Sequence, residues 1–154
     1  MIIKKIFLII VFFALTNCGY KAIFSNQNNL DFSIKKIELA GNKKIGRKII
    51  SLTNLKNLKN KGYSYNLILN SNKKIEIVSK DKSKNASVYK TTINIDFTLK
   101  DPNNQDSIFK TKKFTSSFLY NDMDNKFDLL QYQKNIELNL IDKISQEIII
   151  FIGS

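Results

Sequence analysis

Apolar and polar side chains alternate most strictly between Val88 and Lys100. This period of two predicts a strand with one face on a hydrophobic core and the other in polar surroundings. The turn residues 101–104 follow, and Ile108–Tyr120 is predicted as the returning antiparallel strand. The apolar face of the first strand is expected to carry Tyr89, Thr91, Ile93, Ile95, Phe97 and Leu99. The return strand is expected to bury Ile108, Phe114, Phe118 and Tyr120 on one shared face.

Two earlier segments also have the pattern of strands. Phe32–Leu39 changes the phase of its alternation midway, and a bulge at Lys35–Lys36 would bring its apolar residues to one face. Tyr63–Val78 has six of its apolar residues on odd positions: Tyr63, Tyr65, Leu67, Leu69, Ile75 and Ile77. It is either one long, kinked strand or two strands joined by a turn at residues 71–73, and the shared parity favours one strand.

Two segments have helical periodicity instead. Ile45–Lys56 places apolar residues at steps of three and four, and a long stripe follows Asn121–Asp124 and continues to Phe151. The element order is strand, helix, long strand, strand, strand, helix. We therefore predict a two-layer α+β domain: a mostly antiparallel β-sheet of about four strands, with two α-helices packed on one face. The opposite face is expected to stay polar and basic.

The N-terminus has the pattern of a bacterial export signal. Lys4 and Lys5 precede an apolar run over residues 6–15, and Leu15-Thr16-Asn17-Cys18 has the form of a lipobox. We interpret 1–17 as a lipoprotein signal peptide, 18–31 as a lipidated tether that begins at Cys18, and 32–154 as a single domain. The alternatives are an uncleaved membrane anchor, for which the apolar run is short, and a free buried thiol at Cys18.

Charge and chemistry narrow the class of function. The chain has 25 Lys and Arg against 13 Asp and Glu, a net charge of +12 that includes Lys4 and Lys5 of the signal. This surplus favours a membrane surface, a phosphorylated glycolipid or nucleic acid as partner, and export makes nucleic acid the poorest of the three. Without histidine, and with Cys18 as the only cysteine, we expect no enzyme, no metal site and no cofactor. A carboxylate-based hydrolase using Asp96 and Asp101 is the enzymatic alternative.

The chain resembles the LptE family of lipopolysaccharide-assembly lipoproteins. The resemblance rests on residues 18–21 (Cys-Gly-Tyr-Lys), residues 46–48 (Gly-Arg-Lys), residues 118–121 (Phe-Leu-Tyr-Asn), the order of elements and the closing helix. It implies a lipid-anchored outer-membrane protein with its domain on the periplasmic side, inside the lumen of the β-barrel partner LptD. It also implies that the pair delivers lipopolysaccharide to the outer leaflet, and that the lipoprotein assists assembly of the barrel. The alternative is a structural adaptor in another envelope secretion or efflux complex.

Lysines near the predicted sheet are the candidate contacts for glycolipid phosphate. One group lies in the loop before the clearest strand, another on the return strand, and Lys90 lies on the polar face between them. In a meander, Lys90 and Lys112 or Lys113 could be neighbours. Ordinary solvated lysine remains the alternative for each of these side chains. The candidates are Lys80, Lys82, Lys84, Lys90, Lys110, Lys112 and Lys113.

The lipid anchor is directly testable. Metabolic labelling with a fatty-acid analogue is expected to label the wild-type chain and to leave Cys18→Ala unlabelled, because the thiol is the only acceptor for the lipid in this motif. Equal labelling of both chains would contradict lipidation at Cys18.

Overall fold

The computed structural model describes residues 32–58, 62–104 and 106–153. The predicted signal peptide, Cys18 and the tether over 18–31 lie outside the described residues. The elements in chain order are β1 (Phe32–Gly41), α1 (Lys43–Thr53), β2 (Tyr63–Lys80), β3 (Ala86–Lys100), β4 (Ile108–Asn121) and α2 (Lys126–Gly153). A short 3-10 turn, Leu55–Asn57, follows α1.

The four strands form one sheet in the order β1-β2-β3-β4. β1 and β2 are parallel, and the β2–β3 and β3–β4 pairs are antiparallel. A parallel neighbour requires a crossover connection, and α1 supplies it between β1 and β2. The predicted α+β class is therefore confirmed, with a mixed sheet in which two of the three strand pairs are antiparallel.

The hydrophobic core lies between the helices and one face of the sheet. The alternate β3 side chains from Thr91 to Leu99 are completely buried, and Leu67 and Leu69 of β2 lie beside them. Burial of one such aliphatic or aromatic side chain contributes about 1.5–3 kcal/mol relative to exposure. The helices contribute Ile45 and Ile49 from α1 and, from α2, Leu129, Ile136, Leu140, Ile141, Ile144, Ile148 and Ile152.

Two features of β1 and β2 test the sequence predictions for these strands. The β1–β2 register shifts between Ile34 and Lys36, which confirms the bulge. β2 continues through residues 71–73 as one strand, so the alternative of two strands joined by a turn is wrong.

Two residues of β4 differ from the prediction of a shared buried face. A second register shift, where Leu99 pairs with Lys110 and Lys100 with Ile108, leaves Phe109 as the extra residue. Ile108 is consequently paired on the polar face, and it is 53% exposed. Phe118 pairs with buried Thr91 on the helix side of the sheet, but 46% of it is exposed.

The connection from β1 to α1 is a tight turn. Gly41 has φ +65°, and the Asn42 amide donates a hydrogen bond to the carbonyl of Ser71 at 2.7 Å. The Asn42 side chain caps α1 by accepting from the Ile45 amide at 3.3 Å. Asn54, in the left-handed region, ends the helix. The helix therefore begins two residues before the predicted Ile45 and ends three residues before Lys56.

α2 has 28 residues and a stripe that is buried on the sheet. Across the described ranges, no helix combines the length and the apolar character needed to cross a membrane.

Gly41→Ala is expected to lower the free energy of unfolding by at least about 1–2 kcal/mol, since its positive φ disfavours a side chain. An added Cβ would also lie 2.2 Å from the carbonyl oxygen of Ser71. Urea unfolding measures the effect. Gly153→Ala is the matched control, because nothing lies within 4 Å of its added Cβ, and it should change stability by less than about 1 kcal/mol. Equal effects of the two substitutions would contradict the close approach at Gly41.

Candidate ligand-binding surfaces

The sheet face opposite the core carries polar side chains across all four strands. Successive cross-strand rows on this face pair Asn72 with Asn94 and Thr115, and Asn70 with Asp96 and Lys113. The side chains bond to one another: Thr115 donates to Asn94 at 2.8 Å, and Asn70 donates to Asp96 at 3.3 Å. Both helices pack on the other face, so this surface is open to a polar partner.

An ion pair holds one of the lysines on the open face. The Lys74 ammonium lies 2.7 Å from the Glu76 carboxylate, and Lys90 is the residue opposite Glu76 on β3. The hydrogen bond and charge of Lys74, with a smaller effect of Lys90, lower the pKa of Glu76. Because the folded-state pKa is lowered, the stabilisation from this carboxylate is present at neutral pH and is lost as the pH falls through that pKa. The pair is exposed, so its contribution is small.

The hairpin between β2 and β3 brings Lys80, Lys82 and Lys84 together at one tip. Lys84 has φ +66°, and its amide donates to the Asp81 carbonyl at 3.0 Å. The Asp81 carboxylate accepts from the Asn85 amide at 2.8 Å and so closes the turn. All three lysines are exposed, and none has an ion-pair partner within the described part of the chain. The turn therefore presents three lysines beside one carboxylate, Asp81, which lines a neighbouring pocket with Asp122 and Asp124.

On its β2 side, the hairpin extends beyond the end of β1. β1 ends at Gly41, opposite Ser71, whereas β2 continues to Lys80. The second half of β2 thus has a free edge, and its apolar side chains Ile75, Ile77 and Val78 are 41–56% exposed. Exposed apolar side chains next to one another are typical of a contact surface for a partner.

Lys110 and Lys112 lie on the helix side of the sheet. The Lys110 ammonium donates to the carbonyls of Phe151 and Ile152 at 3.3 and 3.5 Å, at the C-terminus of α2, where a cation is favourable. The Lys112 ammonium lies 5.1 Å from the ring centroids of both Phe114 and Phe151. These two lysines already have partners within the fold.

The structure separates lysines that a simple meander was expected to bring together. Lys90 pairs with Leu119, and Lys113 pairs with Asp96, six residues further along β3. At about 3.4 Å per residue, that separation is roughly 20 Å. The expected proximity of Lys90 to Lys112 or Lys113 is therefore wrong, because the register of β4 sets their positions.

The two carboxylates of the enzymatic alternative do not face each other in a cleft. Asp96 accepts a hydrogen bond from Asn70 on the open face. Asp101 accepts from the Asn103 amide at 2.7 Å and so shapes the loop after β3. Among the residues that the structure describes, no three His, Cys, Asp or Glu side chains are grouped as metal ligands.

A groove of about 400 Å³ runs between the two helices. Its α1 wall carries Lys44, Arg47, Lys48 and Ser51, and its α2 wall carries Glu137, Leu138 and Ile141. Glu137 forms an ion pair with Lys73 of β2. Periodicity along the chain could not locate the groove, because the contact between α1 and α2 joins distant parts of the chain.

Comparisons with known proteins show a shared fold. No protein-family model matches this chain, and no curated protein sequence matches it. A minor lipoprotein from Acinetobacter baumannii has a similar solved structure, with TM-score 0.59, 14% identity, and 80% of this chain and 91% of that chain covered. A candidate lipoprotein from Caulobacter crescentus gives TM-score 0.56 and 13% identity over 86% of this chain and 96% of that one.

A third solved structure is more distant. Rare lipoprotein B from Shewanella oneidensis has TM-score 0.47 and 15% identity, with 73% of this chain and 92% of that chain covered. The two stronger matches support the α+β architecture.

Lys74→Met is expected to raise the pKa of Glu76 toward its ordinary value, because the substitution removes the neighbouring ammonium. An NMR titration that follows the Glu76 carboxyl carbon measures the change. Lys36→Met is the matched control, since it breaks a different exposed pair, Lys36–Glu38 at 2.8 Å. An unchanged Glu76 pKa in Lys74→Met would contradict the ion pair.

Proposed function

We propose that this chain is an outer-membrane lipoprotein that docks inside a β-barrel translocon of the LptD type and assists its assembly. In this role it helps to deliver lipopolysaccharide to the outer leaflet and performs no chemistry. The proposal joins the resemblance of the sequence to the LptE family with the surfaces of the fold.

The observation that carries the proposal is the open polar face of the sheet. A barrel lumen filled with water is polar, and a plug inside it needs polar side chains on its exterior. The face supplies Asn, Thr and Ser side chains together with paired charges. Asn94–Thr115 is an example of a hydrogen-bonded pair, and Lys74–Glu76 is an ion pair. A single helical layer on the other side keeps the body small.

The hairpin tip is the proposed contact for the glycolipid. Lys80, Lys82 and Lys84 are exposed and lack carboxylate partners among the described residues. Exposed ammonium groups without a carboxylate partner form charge-assisted hydrogen bonds to phosphate. The exposed Ile75, Ile77 and Val78 beside them suit the acyl part of such a ligand or the wall of the barrel.

Lipid on Cys18 would hold the domain at the membrane. A single acyl chain gives weak, reversible attachment, and a second chain or a second contact makes the placement stable. The barrel partner supplies that contact in the proposed complex. Two solved structures that share the fold with TM-scores above 0.5 are a lipoprotein and a candidate lipoprotein, which is in keeping with such an anchor.

An affinity pull-down of the tagged full-length chain from solubilised envelope tests the complex. A heat-modifiable β-barrel protein is expected to copurify at close to equal amounts. Recovery of periplasmic or inner-membrane components without a barrel would contradict the proposal and favour the structural adaptor.

Combined substitution of Lys80, Lys82 and Lys84 by Glu is expected to weaken lipopolysaccharide retention about tenfold or more, as charge attraction becomes repulsion. Barrel recovery should stay unchanged, which separates ligand binding from assembly. Lys35, Lys56 and Lys143 are exposed elsewhere, and their combined substitution by Glu is the control of equal charge change. Unchanged retention in the hairpin variant would remove the tip from the proposal.

A further inference from the structure

We infer that the groove between α1 and α2 binds the phosphate head and first methylenes of a phosphate-headed lipid. This site is separate from the surfaces of the proposed function. It lies on the helical side of the domain, whereas the hairpin tip and the polar sheet face contribute none of its lining residues.

The floor of the groove is apolar. Leu138 is 41% exposed there although its neighbour Ile141 is 1% exposed and belongs to the core. The groove volume of about 400 Å³ lies within the range of small-ligand pockets, about 300–1,000 Å³. An aliphatic chain laid over Leu138 would remove this side chain from water.

The rim of the groove is cationic on the α1 side. Lys44, Arg47 and Lys48 are all exposed, and none has a carboxylate within ion-pair distance in the described residues. α1 contains no acidic residue at all, and Lys43 and Lys44 occupy its first turn. Cations there oppose the helix dipole, so this arrangement lowers the stability of the free helix and favours a bound anion.

The one acidic residue that lines the groove is already neutralised. Glu137 pairs with Lys73 of β2, and the two side chains are only 18% and 26% exposed. Its charge is therefore largely cancelled from the sheet side. An anion in the groove meets three cations with little opposing repulsion.

The number of cations favours phosphate over carboxylate as the head group. A phosphate monoester carries about −1.5 to −2 charges at neutral pH and three acceptor oxygens. The Arg47 guanidinium can bond two of these oxygens together, and Lys44 and Lys48 are one helical turn apart on the same wall. A carboxylate, with one charge, would leave most of this rim unused.

Calorimetric titration of the full-length chain in dodecyl maltoside with hexyl phosphate tests the inference. Hexyl phosphate is expected to bind at least tenfold more tightly than inorganic phosphate, which lacks the chain, and than hexanoate, which has one charge. Hexanol should show no measurable binding. Equal affinity for inorganic phosphate would reduce the groove to an ion site, and equal affinity for hexanoate would exclude phosphate selectivity; either result overturns the inference.

Paired variants locate the binding. Arg47→Glu with Lys48→Glu is expected to weaken hexyl phosphate binding about tenfold or more. Leu138→Asp should also weaken binding, because it places a charged side chain on the apolar floor of the groove. Lys35→Glu with Lys143→Glu gives the same charge change away from the groove and should leave affinity unchanged. Full affinity in the Arg47/Lys48 variant would overturn the inference. Barrel recovery in the pull-down is measured separately, so failure here is distinguishable from failure of the proposed function.

Discussion

One-sided burial of β3 is the constraint on which the rest of the structure depends. Its alternate side chains from Thr91 to Leu99 are fully buried, and it lies between β2 and β4. A strand with such a face requires cover, which α2 provides over β3 and β4 while α1 packs on β1 and β2. Because both helices pack on one side, the other face has to form hydrogen bonds with water or with a partner. Its Asn, Thr, Lys and Asp side chains provide the donors and acceptors.

Unequal strand lengths make the two ends of the sheet different. β1 has 10 residues and β2 has 18, so the β2–β3 hairpin projects past the end of β1. The projection carries exposed aliphatic side chains and ends in three lysines. A second cationic area, on α1, lies beside the helix–helix groove. The surplus of positive charge is therefore divided between two locations with different apolar surroundings, one on an extended hairpin and one on the helical layer.

Several features of the fold follow from local patterns. The alternation over 88–100, the parity shared along β2 and the phase change at Lys35–Lys36 all led to correct predictions of strands and of one bulge. The tip lysines were predicted together because they are close in sequence. Local patterns could not predict the positions and contacts of Ile108, Lys110 and Lys112. They depend on the extra residue at Phe109 and on the C-terminus of α2, which approaches from 41 residues further along the chain.

The sequence by itself determined the α+β class, the buried face of β3 and the clustering of Lys80, Lys82 and Lys84, because periodicity and proximity along the chain are local properties. The tertiary structure alone decided the distance between Lys90 and Lys113, the capping of α2 by Lys110 and the groove between α1 and α2. Those features depend on cross-strand register and on helix packing. Both are set by the summed contacts of segments that are far apart in sequence, which no local pattern encodes.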